Sequence, residues 1–281
     1  MTKSLPDYGK LDRPKILDVL FHPRRDPYPP AVPPAVDHDI EVDQGVRVGV
    51  RLYPAEFDQA PNIIFFHGNG EIAADYDTVG PIYNRRGLSL LVADYRGYGR
   101  SSGVPTATTM MRDAHVIFEW AHRWLRAGGH TGPIVVMGRS LGSACALEVA
   151  VGYQDDLAGL ILESAFAQTL PLLDRLGADT QAMSLTEADG FQNLEKIARI
   201  TKPTLIIHAR HDEIIPVMSA ELLQVYCGAR SKEFHVIPAA GHNNIFVYAG
   251  ELYFELIQRF TNRLQGKFDK RFFRKTTQRR R

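Results

Sequence analysis

A serine flanked by glycines lies near the middle of the chain, in the segment Gly138-Arg139-Ser140-Leu141-Gly142. The segment follows the apolar run PIVVMG and precedes LGSACALEVAVGY, whose small residues suit a helix packed closely on a sheet. In a sharp turn from strand to helix, glycines are needed two residues before and after the serine, because a Cβ there would meet neighbouring backbone. Such a turn places the hydroxyl at a helix N-terminus, where N–H groups and the helix dipole stabilise negative charge. The spacing predicts that Ser140 is a nucleophile, although so short a pattern also occurs by chance.

A serine needs a base to become a nucleophile near neutral pH, and in turns of this kind the base follows the serine in the chain. Only four of the ten histidines do so. His208 and His235 lie inside apolar runs, which predicts that they are core residues. His242 lies in AAGHNN, a glycine-containing loop just after the last run. We therefore predict that His242 is the base.

The base in turn needs an acid that orients it. Asp212 follows the run TLIIHA in the loop ARHDEIIP, and Glu163 ends the preceding run GLILE. We favour Asp212, because it follows the strand that usually carries the acid, and Glu163 remains the alternative. His211, beside Asp212, receives no role.

Two backbone N–H groups are expected to form an oxyanion hole. One belongs to Leu141, the residue after the nucleophile, and the other comes from the loop after the first parallel strand. That loop reads FFHGNGE, and its glycines let the backbone approach a substrate oxygen. We assign the second N–H to Asn69 and expect His67 to anchor the loop.

Six short apolar runs alternate with longer helical stretches, which is typical of parallel strands covered on both faces. The runs are residues 62–66, 88–93, 133–138, 159–163, 204–209 and 233–237. Alternation between residues 37 and 55 predicts two further strands joined at Gln44-Gly45. The predicted helix before the third run carries one apolar stripe, which consists of Met110, Ala114, Ile117, Ala121 and Trp124. The pattern predicts an α/β fold.

The chain divides into three predicted segments. Residues 1–37 form a Pro-rich extension, whose stretch PYPPAVPPA favours an extended path over the surface of the domain or into it. Residues 38–265 form one α/β domain. Residues 266–281 form a basic tail that we expect to be disordered. Residues 263–281 carry nine Lys/Arg against one acidic residue, so the rest of the chain is mildly acidic.

The interval between the fourth and fifth runs, residues 167–203, must also contain a connecting helix. Any cap over the site is therefore small, or there is none. Phe166, Leu170, Leu172 and Leu173 are candidates for lining an acyl pocket. An apolar helix face packed on the sheet explains these residues equally well.

Five segments in this order, HGNGE, ADYRGYGRSSG, GRSLGS, HDEIIP and AGH, resemble α/β-hydrolases of the Bem46-like group, which are serine esterases, thioesterases and relatives. The resemblance covers about residues 38 to 265. It implies a mostly parallel central sheet of about eight strands with helices on both faces. It also implies a serine hydrolase of the carboxylesterase or thioesterase kind (EC 3.1), which cleaves a carboxylic ester or thioester through an acyl-enzyme.

Other site types find little support. Cys145 and Cys227 form no CxxC pair, and no H-E-x-x-H segment is present, so neither a disulfide, a metal site nor a cofactor is expected. No run of about 18 apolar residues and no signal-like N-terminus is seen, so we expect a cytoplasmic protein. The expected partner is a small-molecule or acylated substrate, with no nucleic acid. The basic tail leaves open a weak contact with anionic membranes, and the oligomeric state is not indicated.

Three other functions fit parts of the sequence. Gly68-x-Gly70-x-x-Ala73, with Asp94 after the next strand, resembles a dinucleotide fingerprint, but a lone match is weak. A serine peptidase or amidase would use the same residues as an esterase. A catalytically silent binding protein usually lacks a member of the triad, and all three members are present here.

Overall fold

The computed structural model describes residues 8–267, and an eight-stranded sheet runs through them. The strands are β1 (Val36–Asp43), β2 (Val46–Tyr53), β3 (Asn62–Phe66), β4 (Ser89–Ala93), β5 (Ile134–Arg139), β6 (Gly159–Glu163), β7 (Thr204–Ala209) and β8 (Lys232–Ile237). Their order is β1-β2-β4-β3-β5-β6-β7-β8. The pairs β1–β2 and β2–β4 are antiparallel, and all other neighbours are parallel. The predicted α/β fold with a mostly parallel sheet is confirmed.

The centre of the sheet is covered on both faces. Every residue of β3, β4, β6 and β7 is buried. Successive side chains of a strand point to opposite faces, so burial of all of them requires a layer on each side. The parallel strands also end at one edge, where Arg139 of β5 pairs with Glu163 of β6, and Glu163 pairs with Ile207 of β7. Residues that follow these strands therefore meet at the carboxyl edge, where α/β sheets bind ligands.

The helices are α1 (Pro14–Leu20), α2 (Gly80–Arg85), α3 (Ala107–Ala127), α4 (Gly142–Gly152), α5 (Thr169–Arg175), α6 (Asn193–Arg199), α7 (Val217–Tyr226), α8 (Ile245–Ala249) and α9 (Glu251–Leu264). Short 3₁₀ turns lie at Ala73–Tyr76, Gln154–Asp156 and Glu187–Asp189. In α3 the Thr106 hydroxyl accepts the Thr109 N–H and caps the start of the helix. Four residues of the predicted stripe of α3 are buried, while Trp124 is half-buried. Between β6 and β7 the chain holds only α5, α6 and a short turn, which leaves little room for a cap.

The N-terminal segment packs on the domain from the first described residues. Leu11, Ile16 and Leu20 are buried in the common core. The strand β1 begins at Val36, so the predicted boundary at residue 37 falls just inside a strand. At the other end, the predicted tail lies outside the described residues from 268 onward. Within residues 8–267 no helix has the length and apolarity needed to cross a bilayer.

Candidate active site

Ser140 occupies the sharp turn between β5 and α4. Its φ is +51°, which lies in the left-handed region, where the backbone of a residue with a Cβ is strained. A Cβ on Gly138 would lie 2.3 Å from the carbonyl oxygen of Gly142, and one on Gly142 would lie 2.1 Å from that of Phe66. These are backbone atoms that cannot move aside. The structure therefore explains both glycines by close approach of the backbone.

Ser140, His242 and Asp212 form one hydrogen-bonded chain at the carboxyl edge. His242 Nε2 lies 2.9 Å from Ser140 Oγ, and His242 Nδ1 lies 2.8 Å from Asp212 Oδ2 and 3.0 Å from Oδ1. All three residues are buried. Because a carboxylate only accepts hydrogen bonds, the ring hydrogen is on Nδ1, which donates a hydrogen bond to Asp212. In a neutral ring Nε2 is then free to accept the hydroxyl hydrogen of Ser140, which is the arrangement a general base needs.

Asp212 is held in place from two sides. Its Oδ1 accepts the N–H groups of Ile214 at 3.0 Å and Ile215 at 2.6 Å. Burial by itself would raise the pKa of Asp212, but the hydrogen bond and charge of His242 and the Ile215 N–H together lower the pKa below its usual value. Asp212 is therefore ionised at neutral pH.

His208 lies beside Asp212 in the core. Its Nε2 donates to the Ile215 carbonyl at 2.8 Å and lies 3.5 Å from Asp212 Oδ2. Burial lowers the pKa of His208, so the ring is neutral near pH 7. The prediction that His208 is a core residue agrees with this burial. The same prediction is wrong for His235, because β8 lies at the sheet edge and leaves 33% of that side chain exposed.

Glu163, the alternative acid, belongs to a different network. Its Oε1 pairs with Arg139 Nε at 3.2 Å, and its Oε2 accepts the Tyr253 hydroxyl at 2.6 Å. Burial raises the pKa of Glu163, against the opposing effects of Arg139 and Tyr253. No hydrogen bond joins Glu163 to the His242 ring within residues 8–267. Asp212, and not Glu163, is the carboxylate that contacts the imidazole.

Arg139 connects several parts of the site, and the sequence reasoning missed it. Its guanidinium pairs with Glu163 and makes a close contact with Glu71 of the loop after β3. It also donates to the His242 carbonyl at 2.9 Å and to Asn243 Oδ1 at 3.1 Å. The sequence feature that could have indicated this role is a charged residue placed directly between an apolar strand and the predicted nucleophile. A buried arginine requires such partners, since an unpaired buried charge is costly.

The loop after β3 faces the nucleophile. The Gly68 N–H donates to Glu71 Oε2 at 2.7 Å. For the N–H groups of Asn69 and Leu141, no acceptor is found in the described part of the chain. Both predicted donors are therefore without an acceptor among residues 8–267, which is one requirement of an oxyanion hole.

His67 and Asp94 are buried residues that stabilise the same loop. His67 is fully buried, with Nδ1 2.8 Å from the Gly68 carbonyl oxygen and Nε2 3.3 Å from Asp94 Oδ1. Asp94 also accepts the Ala73 N–H at 2.7 Å and the Tyr28 hydroxyl at 3.0 Å. A carboxylate that is fully buried and bonded in this way cannot reach a ribose. This arrangement argues against the dinucleotide hypothesis.

A cavity of about 220 Å³ opens beside Ser140. Its lining includes the apolar residues Leu20, Leu172, Leu176 and Ile214 and the polar residues His22, Asn69 and Asn243. A second cavity of about 170 Å³ shares Leu172 and Ile214 and continues past Met218 and Leu222. The two cavities are adjacent at Leu172 and Ile214, and together we call them the apolar groove.

Of the four pocket candidates named from the sequence, Leu172 lines this groove, and Phe166, Leu170 and Leu173 do not. Phe166 is 1% exposed and packs in the core, with its ring centroid 5.8 Å from that of Phe191. Leu170 is half-buried at the start of α5, where its N–H donates to Glu187 at 2.8 Å. Leu172 and Leu176 lie on the face of this segment that turns toward Ser140. In the described residues, no group of three or more His, Cys, Asp or Glu is placed to hold a metal ion.

Comparisons with known proteins agree with this architecture. Residues 58–186 match the family described as serine aminopeptidase, S33. Protein bem46 of Schizosaccharomyces pombe is 28% identical over 208 residues, which cover 72% of this chain and 68% of that protein. The alpha/beta hydrolase domain-containing protein WAV2 of Arabidopsis thaliana is 28% identical over 212 residues, 70% of this chain and 68% of that protein. A soluble variant of monoglyceride lipase from Saccharomyces cerevisiae superimposes with a TM-score of 0.64 at 18% identity, over 85% of this chain and 98% of that chain.

Proposed function

Because the chain is an α/β-hydrolase of the Bem46-like group, we propose that it is a serine hydrolase that cleaves a carboxylic ester or thioester through an acyl-enzyme. The observation that carries the proposal is the hydrogen-bonded chain from Ser140 Oγ through His242 to Asp212, with distances of 2.9 Å and 2.8 Å. Two unoccupied backbone N–H groups, those of Asn69 and Leu141, support it.

In the proposed mechanism Ser140 Oγ attacks the carbonyl carbon while His242 Nε2 takes the hydroxyl proton. Asp212 stabilises the imidazolium that results. The N–H groups of Asn69 and Leu141 stabilise the negative charge on the former carbonyl oxygen. His242 then gives the proton to the departing oxygen or sulfur, which leaves the acyl group on Ser140. A water molecule, deprotonated by His242, then attacks the acyl carbon, and His242 returns that proton to Ser140 Oγ as the bond between Oγ and the acyl carbon breaks and the carboxylic acid is released.

The apolar groove favours an acyl chain as the group retained on the enzyme. It begins beside Ser140 at Leu172 and Ile214 and extends along α7 past Leu222. Each methylene that enters it contributes about 0.8 kcal/mol, which corresponds to roughly fourfold in kcat/KM. The proposed substrates are therefore esters or thioesters with acyl groups longer than acetyl.

Peptide cleavage is the second candidate, since the matching family is described as a serine aminopeptidase. An aminopeptidase must recognise the ammonium group of a free N-terminus, and a carboxylate near the nucleophile is the natural partner for it. Among the described residues, the wall of the 220 Å³ cavity contains no Asp or Glu. This lining favours the ester or thioester.

A hydrolysis panel tests the proposal. The full-length protein is assayed with p-nitrophenyl esters from acetate to decanoate, with acyl-thioesters of the same chain lengths, and with an aminoacyl-p-nitroanilide. We expect kcat/KM to rise with chain length over the first members of the ester or thioester series. Faster cleavage of the anilide than of every ester and thioester would contradict the proposal.

A further inference from the structure

The segment of residues 20–24, which we call the N-terminal arm, crosses the loop that carries the proposed oxyanion hole. Asn69 Nδ2 donates to the Leu20 carbonyl at 3.0 Å. Arg24 Nη1 donates to the Gly70 carbonyl at 3.2 Å. Leu20 is buried, and both Leu20 and His22 line the cavity beside Ser140. The N-terminal arm is therefore one wall of the site.

The orientation of the Asn69 side chain is determined by backbone groups. Its Oδ1 lies 2.9 Å from the His22 N–H, which can only donate, and 2.6 Å from the Tyr98 hydroxyl. Its Nδ2 lies 3.0 Å from the Leu20 carbonyl oxygen, which can only accept. An amide flipped by 180° would place a donor against a donor and an acceptor against an acceptor. Asn69 Nδ2 is therefore a donor toward the arm.

This orientation fixes the tautomer of His22. Asn69 Nδ2 lies 2.8 Å from His22 Nδ1, so Nδ1 accepts that hydrogen bond. A neutral imidazole carries one hydrogen, which must then be on Nε2. His22 is an exposed residue, and no acceptor for its Nε2–H is found within residues 8–267. The site therefore has an oriented donor on its wall that the proposed acyl transfer does not use.

The lining of the cavity offers different contacts to the two parts of a substrate. Leu172 and Ile214, which also line the second cavity, suit the acyl chain. The leaving group then contacts the rest of the lining, which includes the polar His22. We propose that His22 Nε2–H donates a hydrogen bond to an oxygen on the leaving group, so that the preferred substrates are esters of alcohols with a second oxygen near the ester bond. This inference rests on the proposed esterase or thioesterase function.

A matched pair of esters tests it. In 2-methoxyethyl hexanoate the leaving group has an ether oxygen where butyl hexanoate has a methylene, so the pair differs in one hydrogen-bond acceptor. The quantity measured is the ratio of kcat/KM for the two esters. We expect His22→Phe to lower the ratio by roughly 2- to 10-fold, the value of one net hydrogen bond, and His22→Gln, which keeps a donor, to restore part of it. The ratio is taken within one protein sample, so a variant that is partly unfolded still gives a valid result.

Two controls complete the experiment. The substitution leaves the His22 backbone N–H bonded to Asn69 and Tyr98, so the arm keeps its anchor. His130→Phe makes the same change before β5, at the opposite edge of the sheet, and should leave the ratio as in the wild type. An unchanged ratio in His22→Phe, with both esters still cleaved, overturns the role of His22 alone, whereas a wild type that cleaves no ester or thioester contradicts the proposed function.

Independently of activity, long-range ¹H–¹⁵N correlations of labelled histidine should show the Nε2–H tautomer at His22, and the Nδ1–H tautomer would overturn the inference.

Discussion

Replacing Asp212 by asparagine changes one oxygen to an NH₂ group, and the structure determines which oxygen it is. Asp212 Oδ1 accepts two N–H groups, from Ile214 and Ile215. The amide oxygen of the asparagine must keep that position, so the NH₂ group takes the place of Oδ2, 2.8 Å from His242 Nδ1. The nearer of the two atoms that face Nδ1 is then a donor, which favours the tautomer in which Nδ1 accepts and the ring hydrogen lies on Nε2. His242 then cannot take the proton of Ser140.

We expect this substitution to lower turnover by about 10⁴, the loss that the equivalent change causes in a known triad enzyme. At about 1.4 kcal/mol for each factor of ten, the loss corresponds to roughly 5 kcal/mol of barrier. The matched control is Glu163→Gln, the same chemical change in the rival acid. It removes one charge beside Arg139, which keeps its contact with Glu71.

We expect the main effect of Glu163→Gln to be on the stability of the fold and not on the turnover. Arg139 keeps Glu71 as a partner, so the free energy of unfolding should fall by about 1.5 to 3 kcal/mol, the value of one hydrogen bond to a charged group, while turnover should fall by less than about tenfold. The two variants and the wild type are compared by turnover of the best ester or thioester from the panel and by urea unfolding. If Glu163→Gln loses more turnover than Asp212→Asn, the assignment of the acid is refuted.

Three further predictions follow from the groove, the arginine and the tail. Leu172→Trp, at the junction of the two cavities, should reduce kcat/KM for long-chain esters more than for acetate, and an equal loss for all chain lengths would contradict the groove. Arg139→Gln leaves Glu71 and Glu163 without their buried cation, so the free energy of unfolding should fall by about 3 kcal/mol or more, and a urea midpoint equal to that of the wild type would contradict this role. Deletion of residues 267–281 removes eight Lys/Arg and one Asp, and ester turnover and Tm should not change. We expect the full-length protein not to bind vesicles. If the tail does bind anionic vesicles, the deletion should abolish sedimentation of the protein with them. That binding should also weaken as salt shortens the Debye length from about 10 Å at 0.1 M to about 3 Å at 1 M.

Acidification provides another check on Asp212. Its pKa is lower in the folded protein than in the unfolded chain, so its ionisation stabilises the fold above about pH 4, the unfolded value. This contribution is lost as the pH falls through the folded pKa. The difference in free energy of unfolding between wild type and Asp212→Asn should therefore shrink below about pH 4. A difference that grows on acidification would contradict the lowered pKa.

The positions of Ser140, Asp212 and His242 could be predicted because each follows a short apolar run. Parallel strands end at a common edge, so residues far apart in sequence are brought together by the order of the strands alone. The need for glycine at positions 138 and 142 could also be predicted, because a sharp turn from strand to helix brings the backbone at these positions close to neighbouring backbone.

The wall of the cavity could not be predicted in this way. The contact between Asn69 and the N-terminal arm joins residues 47 positions apart, and no periodic pattern indicates it. The choice between Leu170 and Leu172 as a lining residue depends on the rotation of α5 against the sheet, which the apolar pattern of the helix leaves undetermined. The exposure of His235 depends on β8 being an edge strand, which follows from strand order and not from the apolar run itself.

Covalent labelling of Ser140 tests the central claim most directly. Intact-mass analysis after treatment with a fluorophosphonate should show one added phosphonyl group in the wild type, and peptide mapping should place it on Ser140. The folded Ser140→Ala variant should take up no label and lose ester and thioester turnover, apart from a small residual rate over water that the oxyanion hole and binding supply. Label on another residue, or an alanine variant that cleaves these substrates at nearly the wild-type rate, would contradict the account.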